Sequence, residues 1–318
     1  MLVTVIISVE HREPYVSRCI KSVMAQTHRE LDIILSGRDG CAEETCVRMS
    51  SDYPNITYIP DRGRPSCETL NRAIRRARGE YICFVDSDDR IVPGYLDYLL
   101  DLVADGQAPV AMCMPKPYRW GDDEEFLYTE DEYRQEIIDP AAYLSKRRLE
   151  GGIEYTSLLC KLFRRDLFDG IRFTGPRFFM DEPELPRLIY KAGSIAVSYL
   201  PIYFYTVRKG AVKIKETYSQ EMSDTLEGYR KTADMFEGMG EDRLRWYSME
   251  GYLEGCLKLY DLAGEAADSR KIRKDLTARY SRMLKRAKKS PGKDPARMST
   301  LNHYRLFPAD WSKKEKRD

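Results

Sequence analysis

Short apolar runs alternate with amphipathic helical patterns through the first third of the chain, and this alternation limits the possible folds more than any other feature of the sequence. The apolar runs cover residues 2–9, 31–35, 56–59 and 81–85. Strands separated by helices in this way form parallel α/β sheets. We therefore predict an α/β domain built on such a sheet.

The helical patterns between the runs have clear boundaries. Pro14 is suited to open a helix that continues to about residue 25, and Ser66 is a good N-cap for a helix that Gly79 ends. Further strands are predicted over 110–114, 158–163 and 194–205, with an irregular acidic stretch over 116–136. From residue 217 onward nearly the whole sequence is helical in pattern. We predict two regions, an α/β domain over 1–216 and a helical C-terminal region over 217–318.

Composition and local patterns narrow the class of protein. Hydrophobic residues make up 42% of the chain, enough for a sizeable core. The sequence contains no apolar run of the length that crosses a bilayer, and its first residues lack the basic segment and cleavage site of a signal peptide. We expect a cytoplasmic protein whose eight scattered cysteines are free thiols, because they form no CxxC pair and have no histidine at metal-ligand spacing.

The strongest local signal is the acidic segment Asp86-Ser87-Asp88-Asp89, which directly follows the fourth predicted strand. Ligands of open α/β sheets bind at the carboxyl ends of strands. Carboxylates two residues apart at such an end can converge on a hard cation, Mg²⁺ or Mn²⁺. An acidic loop that only caps the following helix would have the same sequence.

The residues around this segment resemble family 2 glycosyltransferases. Residues 71–89, NRAIRRARGEYICFVDSDD, are similar to that family's "N-x-G-I-x-x-A-x-G-E-Y-I-x-F-L-D-S-D-D" stretch with its D-x-D motif. Residues 15–27 are similar to the family's "YL-x-x-C-I-x-S-I-x-x-Q-T" helix, and residues 31–35 to its "L-E-I-I-L" strand. Farther on, residues 160–168, 171–173 and 201–205 follow "x-K-L-Y-R-R-E-L-F", "I-R-F" and "P-L-Y-x-Y" in order. The resemblance covers about residues 2–215.

The resemblance implies a GT-A fold, in which a Rossmann-like nucleotide-binding half with a mixed central sheet is joined to an acceptor half. It also implies a metal-dependent, inverting transfer of a sugar from a nucleotide donor. In that reading Asp88 holds Mn²⁺ or Mg²⁺ with support from Asp86. Asp181 corresponds to the family's general base, although the preceding Glu of the family is Met180 here, which makes Glu182 a competing candidate. Asp181 is also placed to act as an N-cap.

Other residues correspond to the family's donor-binding positions. The expected nucleotide-sugar contacts are Ser8, Glu10, Asp39, Asp61, Gly63, Asn71, Asp86, Ser87 and Arg208. Two segments depart from the family pattern. Its "P-V-Y-N" is Ser8-Val9-Glu10-His11 here, and its "V-D-D-G-S", whose first Asp contacts the nucleotide base, begins at Ser36-Gly37. Asp39 could replace that Asp if the loop is shifted by two residues.

Charge is distributed unevenly along the chain. Residues 270–318 contain 17 Lys or Arg and 5 Asp or Glu, a balance of +12, which leaves −11 for the rest because the whole chain carries +1. A helix over about 272–288 has an apolar face and a basic face. That pattern fits contact with an anionic membrane, where a lipid-linked acceptor would lie, and it equally fits packing on its own domain or across a homodimer.

The leading functional hypothesis is an inverting glycosyltransferase with a UDP-sugar donor and a glycan or lipid-linked acceptor in cell-envelope or extracellular polysaccharide synthesis. The alternative is a GT-A-like binding or scaffold protein that has lost activity. The changes at Gly37, at Met180 and over Ser8–His11 favour it, and the retention of Asp88 and Asp181 argues against it. A dinucleotide-dependent oxidoreductase is excluded because no G-x-G-x-x-G follows the first strand. Nucleic-acid binding has no recognisable module behind it.

Overall fold

The computed structural model describes residues 1–10, 13–37, 40, 42–64, 66–119, 130–150, 152–174, 181, 184–207, 218 and 220–306. By compactness the chain divides into two units. The first comprises Met1–Arg177 and Glu184–Ala211, and the second comprises Phe178–Pro183 and Val212–Asp318. The predicted boundary at 216/217 lies outside the described residues and stays a prediction.

The first unit alternates strands and helices along most of its length. Its strands are β1 (Val3–Val9), β2 (Leu31–Gly37), β3 (Ile56–Pro60), β4 (Tyr81–Asp86), β5 (Arg90–Ile91), β6 (Val110–Met112), β7 (Pro115–Tyr118), β8 (Gln135–Ile138), β9 (Lys161–Arg164), β10 (Ile195–Ser198) and β11 (Tyr203–Thr206). Its helices are α1 (Tyr15–Met24), α2 (Glu43–Asp52), α3 (Ser66–Arg76), α4 (Tyr95–Gly106), α5 (Pro140–Glu150), α6 (Ile153–Thr156) and α7 (Leu185–Ala192). The α/β class predicted from the sequence is confirmed.

Eight of these strands form one mixed sheet in the order β3-β2-β1-β4-β9-β6-β10-β8. The strands β1 to β4 pair in parallel, whereas β9 is antiparallel to both β4 and β6. The chain winds outward from β1 to β3 and then returns to place β4 on the other side of β1. The order of the strands therefore reverses between β1 and β4, and ligands of open α/β sheets bind at such a point.

The central strands are held by almost complete burial. In β1 all residues except Ser8 are buried, and β4 has four buried residues in succession. Continuous apolar runs of this kind are what a parallel sheet covered on both faces requires. Cys83 lies fully buried within β4, and burial raises the pKa of its thiol to about 12.

At the amino ends of β1 and β2 a buried carboxylate joins the two strands. Asp32 accepts hydrogen bonds from the Thr4 hydroxyl at 2.8 Å and from Arg78, whose Nη2 lies 2.6 Å from Oδ1. The Thr4 hydroxyl oxygen in turn accepts the N–H of Gly79 at 2.8 Å. This network ties the start of β4 to β1 at the edge of the sheet opposite the acidic segment.

The remaining three strands form a second, small sheet in the order β5-β11-β7. The single strand predicted over 194–205 is wrong in this respect, because it is two strands in two different sheets. β10 ends at Ser198, and Pro201 in the connection lacks the N–H that a continuous ladder would need. The predicted irregular stretch over 116–136 also proves partly regular, since β7 and β8 lie at its two ends.

The second unit contains the helices α8 (Gln220–Gly238), α9 (Asp242–Leu262), α10 (Ser269–Ala287) and α11 (Pro295–Leu306). A cluster of buried residues from all four helices forms its core, including Leu226, Trp246, Leu253, Leu284 and Leu301. The helical character predicted for the C-terminal region is confirmed. Across the part of the chain that the structure describes, no helix has both the length and the apolar content to cross a membrane.

Candidate active site

The acidic segment lies where β4 ends, beside the end of β1. Ser8 of β1 pairs in register with Asp86 of β4, and the N–H of Ser87 donates to the carbonyl oxygen of Ser8 at 3.2 Å. The N–H of Glu10 donates to the Ser87 hydroxyl oxygen at 3.1 Å. Four of the residues predicted to bind the donor are therefore brought together where the strand order reverses.

Three carboxylates converge here. One carboxylate oxygen from each of Asp86, Asp88 and Asp89 lies within 4.8 Å of the others, and this is the group of possible metal ligands found among the described residues. Asp88 and Asp89 are buried and Asp86 is half-buried. An all-oxygen set of this kind suits Mg²⁺ or Mn²⁺.

Asp89 differs from the other two because both of its oxygens hold the protein together. Its Oδ2 accepts the hydroxyl of Tyr203 at 2.8 Å, and its Oδ1 accepts the N–H of Thr206 at 2.8 Å. Burial and the neighbouring charges of Asp86 and Asp88 raise the pKa of the Asp89 carboxyl well above its usual range. The geometry fits a metal held by Asp86 and Asp88, with Asp89 joining the acidic segment to β11.

Two further side chains fix the backbone of the segment. The Tyr203 hydroxyl accepts the N–H of Asp86 at 3.2 Å, and the Thr206 hydroxyl donates to the carbonyl oxygen of Asp88. Arg18 of α1 donates from Nη2 to the same carbonyl oxygen at 3.1 Å and to the Thr206 hydroxyl at 3.2 Å. The main chain of the carboxylates is thus held from α1 and from β11 at once.

Arg18 belongs to a layer of stacked cationic and aromatic side chains. Its guanidinium carbon lies 5.2 Å from the ring centre of Tyr118, and that of Arg90 lies 4.4 Å from the same ring. Burial and the nearby charge of Arg90 lower the pKa of the Arg18 guanidinium. Sequence reasoning missed Arg18, Thr206 and the role of Asp89, because partners 70 or more residues apart leave no signal in spacing.

At the carboxyl edge of the sheet, Asp61 joins the ends of β2 and β3. The N–H of Asp61 donates to the carbonyl oxygen of Gly37 at 2.8 Å, and its Oδ1 accepts the N–H of Gly63 at 3.1 Å. Gly63 has φ +73° and Arg62 has φ +51°, so the residues after Asp61 make a tight turn. Asp61 and Gly63 were predicted as donor contacts, and the turn places both of them at the edge of the sheet where the acidic segment lies.

Gly37 occupies the position where the family pattern has an Asp. A Cβ atom at Gly37 would lie 2.6 Å from Cε2 of Tyr58, so the ring of Tyr58 fills the space that a side chain would need. This contact gives a physical reason for the departure from the pattern. Tyr58, on the adjacent strand β3, was not identified from the sequence.

Of the remaining predicted site residues, the structure describes Asn71 and Asp181. The side-chain amide of Asn71 pairs with the backbone of Phe173, its Nδ2 donating at 2.8 Å and its Oδ1 accepting at 2.9 Å. Asp181 is half-buried and falls in the second unit. Asp39, Glu182 and Arg208 lie outside the described residues. The roles assigned to all of these residues stay predictions.

Comparison with known proteins decides the family. The sequence profile described as Glycosyl transferase family 2 matches residues 4–172, which includes both the strand-order reversal and the acidic segment. The chain belongs to this family. The resemblance predicted from the sequence is therefore confirmed.

Known glycosyltransferases are similar to this chain, and the match covers a different share of each one's length. The glycosyltransferase GlyA of Streptococcus pneumoniae is 24% identical over 66% of this chain, but the match spans only 31% of GlyA. The GalNAc(5)-diNAcBac-PP-undecaprenol β-1,3-glucosyltransferase of Campylobacter jejuni is 23% identical over 89% of this chain and 87% of its own length.

Among solved structures, residues 1–349 of Staphylococcus aureus TarS superpose with a TM-score of 0.67 at 16% identity, over 99% of this chain and 92% of that one. TarS has also been solved with UDP-GlcNAc, and that structure superposes with a TM-score of 0.60. At this level of identity the likeness shows the fold, and it confirms the predicted GT-A architecture.

Proposed function

We propose that this protein is an inverting, divalent-metal-dependent glycosyltransferase that moves a sugar from a UDP-sugar to an acceptor hydroxyl. The observation that carries the proposal is the carboxylate cluster Asp86, Asp88 and Asp89 at the reversal of strand order, in a member of a glycosyltransferase family. The structure of TarS with UDP-GlcNAc supports a uridine nucleotide as the donor.

The proposed mechanism assigns a separate task to each group. Asp86 and Asp88 would hold Mn²⁺ or Mg²⁺, and Ser8, Glu10 and Ser87 line the strand ends where the donor would lie. A bound divalent cation neutralises charge on the departing nucleoside diphosphate. Asp89, Tyr203, Thr206 and Arg18 keep the main chain of the acidic segment in place, so that the two metal-binding carboxylates need not reorganise during the reaction.

The acceptor hydroxyl must lose a proton while its oxygen attacks the anomeric carbon. We assign that proton to the carboxylate of Asp181, with Glu182 as the competing base. Attack from the face opposite the leaving group inverts the anomeric configuration. The family pattern has a Glu directly before this Asp, and this chain has Met180 there.

The names of two relatives support a class of acceptor and a location for the protein. The Campylobacter relative is named for an undecaprenol-linked glycan, and another relative is a poly(ribitol-phosphate) β-glucosyltransferase of Bacillus spizizenii. These names support an acceptor in cell-envelope or extracellular polysaccharide synthesis and a protein that works at the inner face of the plasma membrane. Contact through an inserted amphipathic α10 is disfavoured, because its apolar residues Leu276, Met283 and Leu284 are buried in the core of the second unit.

Turnover and stereochemistry test the proposal together. Purified protein is incubated with a panel of sugar nucleotides and Mn²⁺, release of nucleoside diphosphate is followed, and proton NMR identifies the anomer of the sugar transferred to water. We expect release from a UDP-sugar and first appearance of the inverted anomer, with EDTA stopping the reaction. Asp181→Asn should abolish release while leaving donor affinity intact, and the exposed Asp52→Asn is the matched control.

The same assay has informative alternatives. If Asp181→Asn keeps its rate and Glu182→Gln loses it, the base is Glu182.

A second candidate function, a binding or scaffold protein without turnover, is favoured by the replacement of the family's Asp with Gly37 beneath Tyr58. Nucleotide binding without release from any sugar nucleotide, together with detectable binding of a glycan, would support that candidate.

A further inference from the structure

The second unit has a groove that the proposed transfer chemistry does not use. It has a volume of about 680 Å³ and lies along the first three turns of α10, against the end of α9. Three cationic side chains line it, those of Arg270, Arg273 and Lys274. Among the residues the structure describes, no carboxylate is part of the lining.

One of these cations is fixed in place. Arg273 donates from Nε to the carbonyl oxygen of Tyr260 at 3.0 Å, and its guanidinium carbon lies 4.7 Å from the centre of the Tyr260 ring. Its Nη2 passes so close to Gly264 that a Cβ there would lie 2.6 Å away. A guanidinium held from three sides loses little conformational entropy when it binds an anion.

The other two cations are exposed. Arg270 and Lys274 lie one helical turn apart on the same face of α10, and across the described chain neither is paired with an acidic side chain. Lys285 and Lys288 extend the same face beyond the groove. Between them the face carries the small side chains of Ala278 and Ser281, which leave room beside the helix.

The shape and chemistry of this surface favour one kind of occupant. Guanidinium, ammonium and hydroxyl donors together are the set that binds phosphate oxygens. The groove is shallow and open to solvent, and its cations continue in a row along the helix, so it fits an extended chain that lies along α10. The apolar face of α10 is buried in its own core, so the helix cannot insert into lipid. The ring of Tyr260 is covered by Arg273, so the groove offers no platform on which nucleic-acid bases could stack.

We propose that the groove along α10 binds a linear, phosphate-bearing chain. The interpretation of that chain as the acceptor of sugar transfer rests on the function proposed above. The binding itself does not, because all of its residues belong to the second unit and none belongs to the carboxylate cluster.

The test measures binding of the full chain to long-chain inorganic polyphosphate by calorimetry. The double substitution of Arg270→Gln and Lys274→Gln should weaken binding about tenfold or more, because two charge-assisted contacts are lost. The slope of log affinity against log salt should fall by about two. The double substitution of Lys271→Gln and Arg282→Gln is the matched control, since it removes the same charge from exposed positions of the same helix outside the groove.

Several results would overturn the proposal. Equal losses in the two double variants would show that net charge alone attracts the polyanion, and an absence of polyphosphate binding would refute the groove directly. Polygalacturonate binding as tightly as polyphosphate would refute a preference for phosphate. Binding of phosphatidylglycerol vesicles that depends on Arg270 and Lys274, without binding of polyphosphate, would assign the surface to a membrane instead. A failure of nucleotide binding beside intact polyphosphate binding would count against the proposed function and leave the groove standing.

Discussion

The carboxyl edge of the large sheet has two halves that are held together in different ways. At the ends of β1 and β4 the family's acidic motif is retained, and hydrogen bonds from α1 and β11 fix both its side chains and its backbone. At the ends of β2 and β3 the family pattern has an Asp where this chain has Gly37, and the ring of Tyr58 covers Gly37. We expect the first half to bind metal and phosphates as the family pattern implies, and the second half to contact the nucleotide base through residues other than that Asp.

The largest effect should come from Asp89, where the first half is anchored. Asp89→Ala removes the acceptor of two buried donors, the Tyr203 hydroxyl and the Thr206 N–H, and should lower the free energy of unfolding by about 3 kcal/mol. Loss of a charge close to Asp86 and Asp88 offsets part of the cost in metal-free buffer. Denaturant unfolding in EDTA measures the change.

Tyr203→Phe is the graded companion to that variant. It removes one hydroxyl and keeps the buried ring, and should cost about 1 kcal/mol. If Asp89→Ala unfolds at the wild-type denaturant concentration, the acidic segment is not anchored to β11 as described.

A smaller effect is expected where the second half is packed. Gly37→Ala places a methyl group against the Tyr58 ring and should destabilise the fold by about 1–2 kcal/mol. Combining it with Tyr58→Ala should relieve the clash, so that a double-mutant cycle gives a favourable coupling of about 1 kcal/mol. Gly94→Ala is the matched control, because among the described residues no atom beyond Gly94 and its two chain neighbours lies within 4 Å of a Cβ there. Additive single effects would mean that Tyr58 does not determine the residue at position 37.

An effect as small as that of Tyr203→Phe should come from Thr206→Val, which keeps the shape of the side chain and removes its hydroxyl. The carbonyl oxygen of Asp88 then keeps Arg18 as a donor but loses Thr206, at a cost of about 1 kcal/mol. In the presence of Mn²⁺ the affinity for UDP should weaken slightly, and a higher Mn²⁺ concentration should restore it. Weakening that excess Mn²⁺ does not restore would mean that Thr206 acts on the donor and not on the metal-binding segment.

Much of the first unit was predictable because its signals are local. Continuous apolar runs marked β1 to β4, and the acidic segment marked the end of β4. The split between β10 and β11 was not predicted, since only tertiary pairing separates two adjacent apolar runs, although Pro201 was a visible sign. The helix α2 was also missed, because only one of its residues, Cys46, is described as buried and its sequence has little apolar periodicity.

The part of the candidate site that comes from one short stretch of sequence was predictable. Asp86, Ser87 and Asp88 belong to one short motif, so a resemblance to a family was enough to find them. Arg18, Tyr58 and Thr206 reach the site from other elements, and only the folded chain brings them there. The contact between Gly37 and Tyr58 could not be predicted either, because it depends on a ring from the neighbouring strand β3.

The central claim is that the ends of β1 and β4 form a metal-dependent site for a nucleoside diphosphate. The most direct test is calorimetric titration with UDP, GDP and CDP, each with and without Mn²⁺, on the wild-type protein and on Asp88→Ala. We predict that one nucleotide, UDP, binds only with Mn²⁺ and that Asp88→Ala abolishes this binding. Binding that persists in Asp88→Ala, or that occurs equally well without the metal, would contradict the account.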